Sequence, residues 1–293
     1  HIPVMAEELV SGLNIKRGDV IIDMTFGAGG HTKFIMENYK HCKVIALDRD
    51  EKAFEIAQDL SKKFKQSSNR GRIIPLLGKF SELDKLLSEN GIVENSLNAA
   101  LLDAGCSSMQ FDQPERGFSL VRDGPLDMRM DGNRWDVLFN FSMNGPSGGW
   151  WFSPIKRTMG IIPRTMAQHS LAQLVGRKRC NKIDNDEIKI CHIATKTFMA
   201  IRIFVNDELN EICHGIKTSE KYLMNGGKMG VITFHSLEDR VVKRMLKQIE
   251  ISKPFNVKMG VGKSGEEIEQ NPRSRSAKLR IATRCRDVII TQV

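Results

Sequence analysis

The stretch Asp23-Met24-Thr25-Phe26-Gly27-Ala28-Gly29-Gly30 decides the fold class of this chain. The apolar, β-branched run Asp19–Met24 leads into it, and a helical pattern starts at His31. Glycines let a backbone turn tightly and approach a ligand with no Cβ in the way. We therefore predict a strand, a ligand-binding loop and a helix in direct succession.

Similar units follow through the N-terminal third of the chain. Further short apolar runs predict strands at Lys43–Leu47, Arg72–Leu77 and Asn98–Leu102. Helical patterns around Ala53–Leu60 and Leu83–Leu87 separate them. Strands that alternate with helices of this length predict an α/β fold, in which helical crossovers connect the strands of a parallel sheet.

The alternation breaks between Gly105 and about Ile190, where Gly, Pro, Ser and Met are frequent and periodicity is weak. We interpret residues 105–191 as an inserted substrate-recognition region, and residues 1–104 and 192–293 as two parts of one core domain. Apolar residues at helical spacing from Ile193 to Ile216 predict one long helix, which Asn225-Gly226-Gly227 stops.

The C-terminal part predicts the rest of the sheet. Strands are expected at Lys228–Phe234, Lys278–Arg284 and Asp287–Val293. A capping box at Ser236 is expected to start a helix, and the polar segment Ser252–Glu269 is expected to be a loop.

Composition narrows the class of partner. The 293 residues carry a formal net charge of +9, and this basic surplus favours a polyanion such as nucleic acid. No apolar run approaches the roughly 18–20 residues of a membrane helix, so no membrane partner is predicted. The six cysteines form no Cys-x-x-Cys pair, which argues against a zinc ribbon and favours reduced thiols in an intracellular compartment. We predict no metal site.

Four features fall at the carboxyl ends of predicted strands, where doubly wound sheets bind ligands. Besides the glycine loop they are Asp48, Phe80 and Asp103. A carboxylate at Asp48 can accept the two hydroxyls of a ribose, although a solvated acid before a helix looks the same in sequence. The Phe80 ring can pack on an adenine, or it can be a core side chain. Together the four features predict a nucleoside site.

The glycine spacing selects among nucleoside cofactors. A dinucleotide fingerprint needs a third glycine in register, and the order here is Gly-x-Gly-Gly-His. No Gly-x-x-x-x-Gly-Lys-[Ser/Thr] phosphate loop is present either. Asp23, just before the loop, suits the ammonium group of S-adenosylmethionine better than a pyrophosphate. A nicotinamide-dependent oxidoreductase is the disfavoured alternative.

Several longer motifs occur along the chain. The strongest are Asp112-Gln-Pro-Glu-Arg-Gly-Phe-Ser119 and Arg122-Asp-Gly-Pro-Leu-Asp-Met-Arg-Met-Asp131. Others are His1-Ile-Pro-Val-Met5, Asp23-Met-Thr-Phe-Gly-Ala-Gly-Gly-His-Thr32, Arg202-Ile-Phe-Val-Asn-Asp-Glu-Leu-Asn-Glu211 and Phe234-His-Ser-Leu-Glu-Asp-Arg240. These motifs resemble the small-subunit rRNA cytidine-N4-methyltransferase family, and the match covers residues 1–132 and 192–280. The form of the segment after Gly105 is closest to the mitochondrial, methyltransferase-like branch.

This resemblance implies a class I (Rossmann-like) S-adenosylmethionine methyltransferase fold with a helical or irregular insertion after the fourth strand. It implies N4-methylation of a cytidine in small-subunit, 12S-type ribosomal RNA or a pre-ribosomal particle, in support of subunit assembly. The implied location is the mitochondrial matrix, or the cytoplasm of a bacterium. The implied cofactor contacts are Gly29, Gly30, His31, Asp48, Phe80, Asp103 and Gln110. Between Asn133 and Cys191 the family's helical pattern is largely missing.

For the reaction itself, Asp103 is the candidate acceptor for the hydrogens of the cytidine N4 amino group, where it would share the developing positive charge. Ser107 and Ser108 are candidate supporting groups, or residues of a simple turn. His235 is a candidate to line the same cleft or to take the proton, and its alternative is a structural histidine beside the capping box.

Two rival functions stay open. Cys106 lies where a cytosine-C5 methyltransferase has its nucleophile, or it is a buried small hydrophobe. The divergent middle region also allows a catalytically weak RNA-binding assembly factor. For each of these candidate functions we expect RNA to bind clusters of basic residues. Arg129 has an alternative role, because it can pair with Asp127 within the protein. The clusters are Arg273, Arg275, Lys278 and Arg280; Arg116, Arg122 and Arg129; and Arg177-Lys178-Arg179.

Overall fold

A computed structural model describes residues 3–66, 71–119, 127–132, 194–251, 255–258 and 271–285. The chain divides into two compact units. One comprises His1–Gly105 and Leu209–Val293, and the other Cys106–Glu208. The second unit thus includes residues 192–208, which the sequence assigned to the core. A substrate-recognition role for the middle region stays a prediction.

The first unit contains a sheet that confirms the predicted α/β class. Among the described residues it has seven strands in the order β3-β2-β1-β4-β5-β7-β6. The first five strands in this order are parallel, and β7 is antiparallel to both of its neighbours. The strands are β1 (Val20–Asp23), β2 (Lys43–Asp48), β3 (Arg72–Leu77), β4 (Leu97–Asp103), β5 (Leu223–Thr233), β6 (Phe255–Lys258) and β7 (Lys278–Arg284).

Helices connect these strands in the crossovers expected for parallel pairs. Short 3-10 turns cover Phe80–Glu82, Pro114–Arg116 and Pro272–Ser276. The α-helices of the described residues are α1 (Ala6–Leu13), α2 (Gly30–Asn38), α3 (Glu51–Lys65), α4 (Leu83–Glu89), α5 (Ser108–Asp112), α6 (Ala194–Val205), α7 (Glu208–Tyr222) and α8 (Ser236–Ile251). None of them is both long and apolar enough to cross a membrane.

The core of the first unit lies on both faces of the sheet, which explains why its central strands are continuous apolar runs. Ile22, Ile45 and Leu102 of β1, β2 and β4 are almost completely buried. Ile212 and Ile216, one turn apart on α7, pack into the same cluster. The sheet changes winding direction between β1 and β4, so their carboxyl ends flank a crevice suited to a ligand.

Three predictions about local structure are wrong. The single long helix is two helices, α6 and α7, because Asp207 takes a left-handed backbone conformation with φ 51°. Asn225-Gly226-Gly227 does not stop a helix but lies in β5, where the register against β4 shifts. Phe255–Lys258 forms strand β6 inside the segment that we expected to be a loop. The strand predicted at Asp287–Val293 lies outside the described residues.

The second unit has a small apolar cluster of its own. Phe118, Met128, Met130 and Phe198 are buried together. The Asn206 side chain accepts a hydrogen bond from the Met130 backbone N–H at 2.8 Å and donates one to the Met128 carbonyl at 2.7 Å. The segment after α6 is thereby fixed to residues 128–130.

Candidate functional site

Asp23 organises the loop that follows β1. Its side chain is fully buried, and its carboxylate accepts the Thr32 hydroxyl at 2.6 Å and the Thr25 N–H at 3.2 Å. Burial outweighs these hydrogen bonds and raises the pKa of Asp23 to about 6. Because the carboxylate is enclosed, it is not exposed to the ammonium group of a ligand, and that part of the sequence interpretation is wrong.

The loop needs glycine at defined positions. Gly27 and Gly29 have left-handed φ angles of 53° and 78°. A Cβ on Gly29 would lie 2.7 Å from Cζ of the Phe26 ring, and one on Gly30 would lie 3.1 Å from Cβ of Pro3. The start of α2 therefore needs glycine because Phe26 and Pro3 pack directly against its backbone.

Asp48, at the end of β2, lies directly beneath this loop. Its two oxygens accept the backbone N–H groups of Gly27 at 2.7 Å and of Asp50 at 2.9 Å. Burial raises the pKa of Asp48 to about 6 in spite of these bonds. Each carboxylate oxygen has a second lone pair, so the group can still accept a hydroxyl. The predicted ribose contact is compatible with this geometry and stays a prediction.

Asp103 ends β4, on the other side of the crevice from the loop. Its backbone N–H donates to the Thr25 hydroxyl at 2.7 Å. Its Oδ1 is buried without a hydrogen-bond partner among the described residues. Burial raises the pKa of Asp103 to about 7; His31 lowers this pKa, whereas Asp23 and Glu238 raise it. A buried acceptor without a partner is costly. The rest of the side chain keeps 23% of its surface exposed, and this is the part that a ligand can reach.

His31 in α2 is the neighbour of Asp103. Its Nε2 lies 2.9 Å from the Val4 carbonyl oxygen. Since a carbonyl only accepts, Nε2 carries the proton, and Nδ1 faces the Asp103 Oδ2 at 4.0 Å. The short N-terminal segment before α1 thus orients the ring. Nothing in the sequence pattern predicted this contact, although the segment belongs to a recognised family motif.

Phe80 follows β3 and packs against helix α7. A Cβ on Gly215 would lie 3.3 Å from Cδ2 of the ring, so glycine permits the close approach. The next residue, Ser81, donates its N–H at 3.0 Å and its hydroxyl at 2.7 Å to the buried carboxylate of Glu211 in α7. These two hydrogen bonds, the Ser81–Glu211 clasp, fix the turn that carries the Phe80 ring. The sequence pattern did not predict this contact, and the available signal was an acid next to the apolar stripe of α7.

His235 precedes helix α8 and caps it. The Glu238 carboxylate accepts the N–H groups of Phe234 at 2.9 Å and His235 at 3.3 Å, while His235 Nδ1 accepts the Glu238 N–H at 3.4 Å. The His235 Nε2 also lies 2.9 Å from the Glu238 Oε1. The predicted capping box is therefore built one residue earlier than Ser236. Catalysis by His235 stays a prediction.

Three predicted site residues belong to the second unit. Ser107 caps the short helix α5, with its hydroxyl accepting the Gln110 N–H at 3.4 Å. Gln110 is buried; its Oε1 accepts the Ser107 N–H at 3.0 Å, and its Nε2 donates to the Met130 carbonyl at 3.3 Å. Both ends of the Gln110 amide thus have structural partners. The roles predicted for Ser107, Ser108 and Gln110 stay predictions.

Cys106 is held as a neutral thiol. Its Sγ accepts a hydrogen bond from Arg202 Nη1 at 3.1 Å, and Arg202 forms a two-pronged ion pair with Glu208 at 2.8 and 2.9 Å. Burial raises the pKa of Cys106 to about 11, even though the arginine lowers it. Since the thiolate is the nucleophile, this environment argues against covalent attack by Cys106.

Several arginines and lysines predicted to bind RNA have internal partners. Arg280 and Lys278 lie 2.8 and 3.6 Å from the Asp239 carboxylate, which lowers the pKa of Asp239. Arg116 donates to the Met130 carbonyl at 2.9 Å, and Arg129 pairs with Asp127 at 2.7 Å, as the alternative interpretation expected. Arg122, Arg177-Lys178-Arg179 and the side chain of Arg273 lie outside the described part of the chain.

The crevice fits a nucleoside cofactor. The glycine loop and the carboxylates of Asp48 and Asp103 meet at the carboxyl edge of a parallel sheet that reverses its winding there. With β7 inserted antiparallel beside β5, this is the class I fold of methyltransferases that use S-adenosylmethionine. The chain belongs to the MraW methylase family, whose model matches residues 1–136 and 167–285, and S-adenosylmethionine is its cofactor.

Named relatives cover almost the whole chain. It is 37% identical over 338 residues to the 12S rRNA N(4)-cytidine methyltransferase METTL15 of Homo sapiens, covering 96% of this chain and 82% of that protein. It is 38% identical to the probable methyltransferase-like protein 15 homolog of Drosophila melanogaster, over 97% of this chain and 92% of that protein. It is also 38% identical to ribosomal RNA small subunit methyltransferase H of Brucella anthropi, over 97% of this chain and 87% of that protein.

Among solved structures, a putative rRNA methylase from Clostridium thermocellum superposes with a TM-score of 0.47 at 12% identity, covering 98% of each chain.

The family match also corrects one expectation. We expected the family pattern to be missing between residues 133 and 191, whereas the unmatched segment is 137–166.

Proposed function

We propose that this chain transfers the methyl group of S-adenosylmethionine to the exocyclic N4 of a cytidine in small-subunit ribosomal RNA. The relatives named for this activity support the proposal, since they match nearly all of the chain. The observation that carries it is Asp103, whose partly exposed carboxylate ends β4 at the crevice, across from the glycine loop, and whose backbone N–H is bonded to Thr25.

In this proposal the loop and the strand ends bind the cofactor. The backbone at Gly29 and Gly30 lies against its amino-acid portion, and His31 orients the segment. Asp48 accepts the ribose hydroxyls and the Phe80 ring packs on the adenine. Gln110 is proposed as a cofactor contact on the family resemblance alone. When bound, S-adenosylmethionine supplies a methyl group on a positively charged sulfur.

Asp103 supplies the acceptor that the amino group of cytosine needs. The N4 lone pair is delocalised into the ring, and a carboxylate that accepts one N4 hydrogen localises it for attack. As the new N–C bond forms, N4 loses one proton, and a carboxylate with a pKa of about 7 can take it at neutral pH. Ser107, Ser108 and His235 are assigned supporting hydrogen bonds.

The relatives support a finer proposal for substrate and location. We assign the target to small-subunit rRNA of the 12S type, as free RNA or in a pre-ribosomal particle, because METTL15 enzymes share 36–38% identity with the chain. With this target we propose the mitochondrial matrix as the location, or the cytoplasm if the source is bacterial. C5 methylation through Cys106 is less well supported, because its buried thiol has a pKa of about 11.

Mass spectrometry of nucleosides tests the proposal. Small-subunit rRNA is incubated with the protein and isotopically labelled S-adenosylmethionine, then digested. We expect labelled N4-methylcytidine, retained by Cys106→Ser and lost by Asp103→Asn. Labelled 5-methylcytidine that disappears in Cys106→Ser would establish the C5 mechanism instead. Cofactor and RNA binding without any labelled nucleoside would identify an assembly factor.

A further inference from the structure

A second charged surface lies on the first unit at the amino ends of the strands, opposite the cofactor crevice. Three connecting segments meet there. The Gly18 N–H donates to the Lys40 carbonyl at 3.1 Å, and the Arg72 N–H donates to the Cys42 carbonyl at 2.9 Å. The Ser61 hydroxyl at the end of α3 donates to the Ile73 carbonyl at 2.7 Å. The ends of α1, α2 and α3 and the starts of β1, β2 and β3 are therefore neighbours.

These segments carry mostly positive charge. We call their cations the basic edge. One acid, Asp19, lies in the same segments, and its carboxylate accepts the Lys16 backbone N–H at 2.8 Å. Among the residues that the structure describes, only Lys62 of the basic edge has a carboxylate partner, the exposed Asp59 at 3.0 Å, and such a pair neutralises little. The basic edge consists of Lys16, Arg17, Lys40, Lys43, Lys62, Lys63, Lys65 and Arg72.

Helix dipoles explain only part of this charge. A helix C-terminus carries about half a negative charge, which one cation complements. The last turn of α3 has three lysines, and the last turns of α1 and α2 have no basic residue. Lys16, Arg17 and Lys40 lie beyond those helix ends. The basic edge thus has more cations than the helix dipoles require.

The chemistry of the basic edge fits a phosphate backbone. The segments that carry the basic edge have no exposed large apolar side chain among the described residues, and at the same edge of the sheet Val93 lies before β4 and Met224 at the start of β5. A membrane surface or a protein partner would need apolar anchors among the cations themselves. Arg17 is held by a 2.9 Å hydrogen bond to His41 Nε2, so its guanidinium is oriented in advance. Arginine and lysine without apolar anchors are the usual phosphate contacts of RNA-binding proteins.

We propose that the basic edge binds the phosphate backbone of the ribosomal RNA at a place distant from the methylated nucleotide. This rests on the proposed function for the identity of the RNA. Strand β2 runs from Lys43 at the basic edge to Asp48 at the crevice, a span of about 17 Å at ~3.3 Å per residue step. A folded RNA reaches both edges, but a short oligonucleotide seated at the crevice does not.

The dependence of binding on salt tests this surface. The edge variant is Lys16→Gln with Lys40→Gln. Its matched control is Lys85→Gln with Lys221→Gln, which removes the same charge from lysines that pair with Glu89 and Asp84. If two phosphate contacts are lost, the slope of log K against log salt falls by about 1.4–1.8, and affinity at 0.1 M salt falls roughly 25–60-fold.

We expect this loss for protein-free small-subunit rRNA, and little change for a short oligonucleotide that contains the target cytidine. Equal salt slopes for the edge and control variants would overturn the proposal. So would unchanged RNA binding with lost binding to anionic phospholipid vesicles. The methylation assay distinguishes this proposal from the proposed function. If RNA binding depends on the basic edge but no N4-methylcytidine forms, the proposed function is refuted and the RNA-binding role of the basic edge is retained.

Discussion

Replacing Asp103 with asparagine is expected to stabilise the protein while abolishing its activity. The carboxylate has a pKa of about 7, compared with an ordinary value of 3.8. A shift of about three units corresponds to about 4 kcal/mol of penalty on the charged form. Because the side chain keeps 23% of its surface exposed, solvent screening reduces this figure, and we expect a gain of about 1–3 kcal/mol.

The size of this gain depends on pH. Above pH 7 the group is ionised in both the folded and the unfolded protein, so the folded state bears the whole penalty of burying the charge. The penalty shrinks as the pH falls from 7 to 4, because the folded carboxyl is protonated first, and it vanishes below both pKa values. The gain in Asp103→Asn is therefore largest at pH 8 and absent near pH 3.5.

Thermal unfolding of the two proteins between pH 4 and pH 8 measures this difference, with a rise in Tm of about 2–4 °C per kcal/mol for a chain of this size. The wild-type kcat/KM should also fall tenfold per pH unit below about 7, since the acceptor is then protonated. A variant that is less stable than wild type at pH 8, or that still methylates RNA, would refute the reasoning.

Three further substitutions, one of them with a glycine control elsewhere in the chain, test the cofactor crevice. Asp48→Ala should weaken S-adenosylmethionine binding by about 1–3 kcal/mol in calorimetry, because the ribose hydroxyls lose their acceptor; unchanged affinity would remove the ribose from this position. Gly29→Ala should destabilise the fold by about 1–3 kcal/mol and weaken cofactor binding, through its φ of 78° and its contact with the Phe26 ring. Gly91→Ala, with φ 70° and nothing within 4 Å, should show the backbone strain alone and keep its cofactor affinity. Glu211→Ala should weaken cofactor binding roughly 5–30-fold, since it loses both hydrogen bonds to Ser81. An equal loss in a Phe80→Leu background would show that the contact between Ser81 and Glu211 does not act through the ring.

The sequence by itself determined the class of fold and predicted a candidate site at the carboxyl edge of the sheet. Strands β3 and β7 match their predicted bounds, and β1, β2 and β4 lie within about a residue of theirs. Buried parallel strands read as uninterrupted apolar runs, and the first acid after each run marks its carboxyl end. This is why Asp48 and Asp103 were found without a structure. The glycine order after Asp23 also separated S-adenosylmethionine from a dinucleotide.

Tertiary structure alone decided which of these groups have partners. Asp23 and Asp103 look alike in sequence, yet one is enclosed by Thr32 and Thr25 while the other keeps an unsatisfied oxygen. The clasp between Ser81 and Glu211 joins residues 130 positions apart. Sequence patterns report the periodicity of burial along one element, which is local. Hydrogen-bond partners, pKa values and the break before α7 depend on which distant segments pack together, and only the folded chain specifies that.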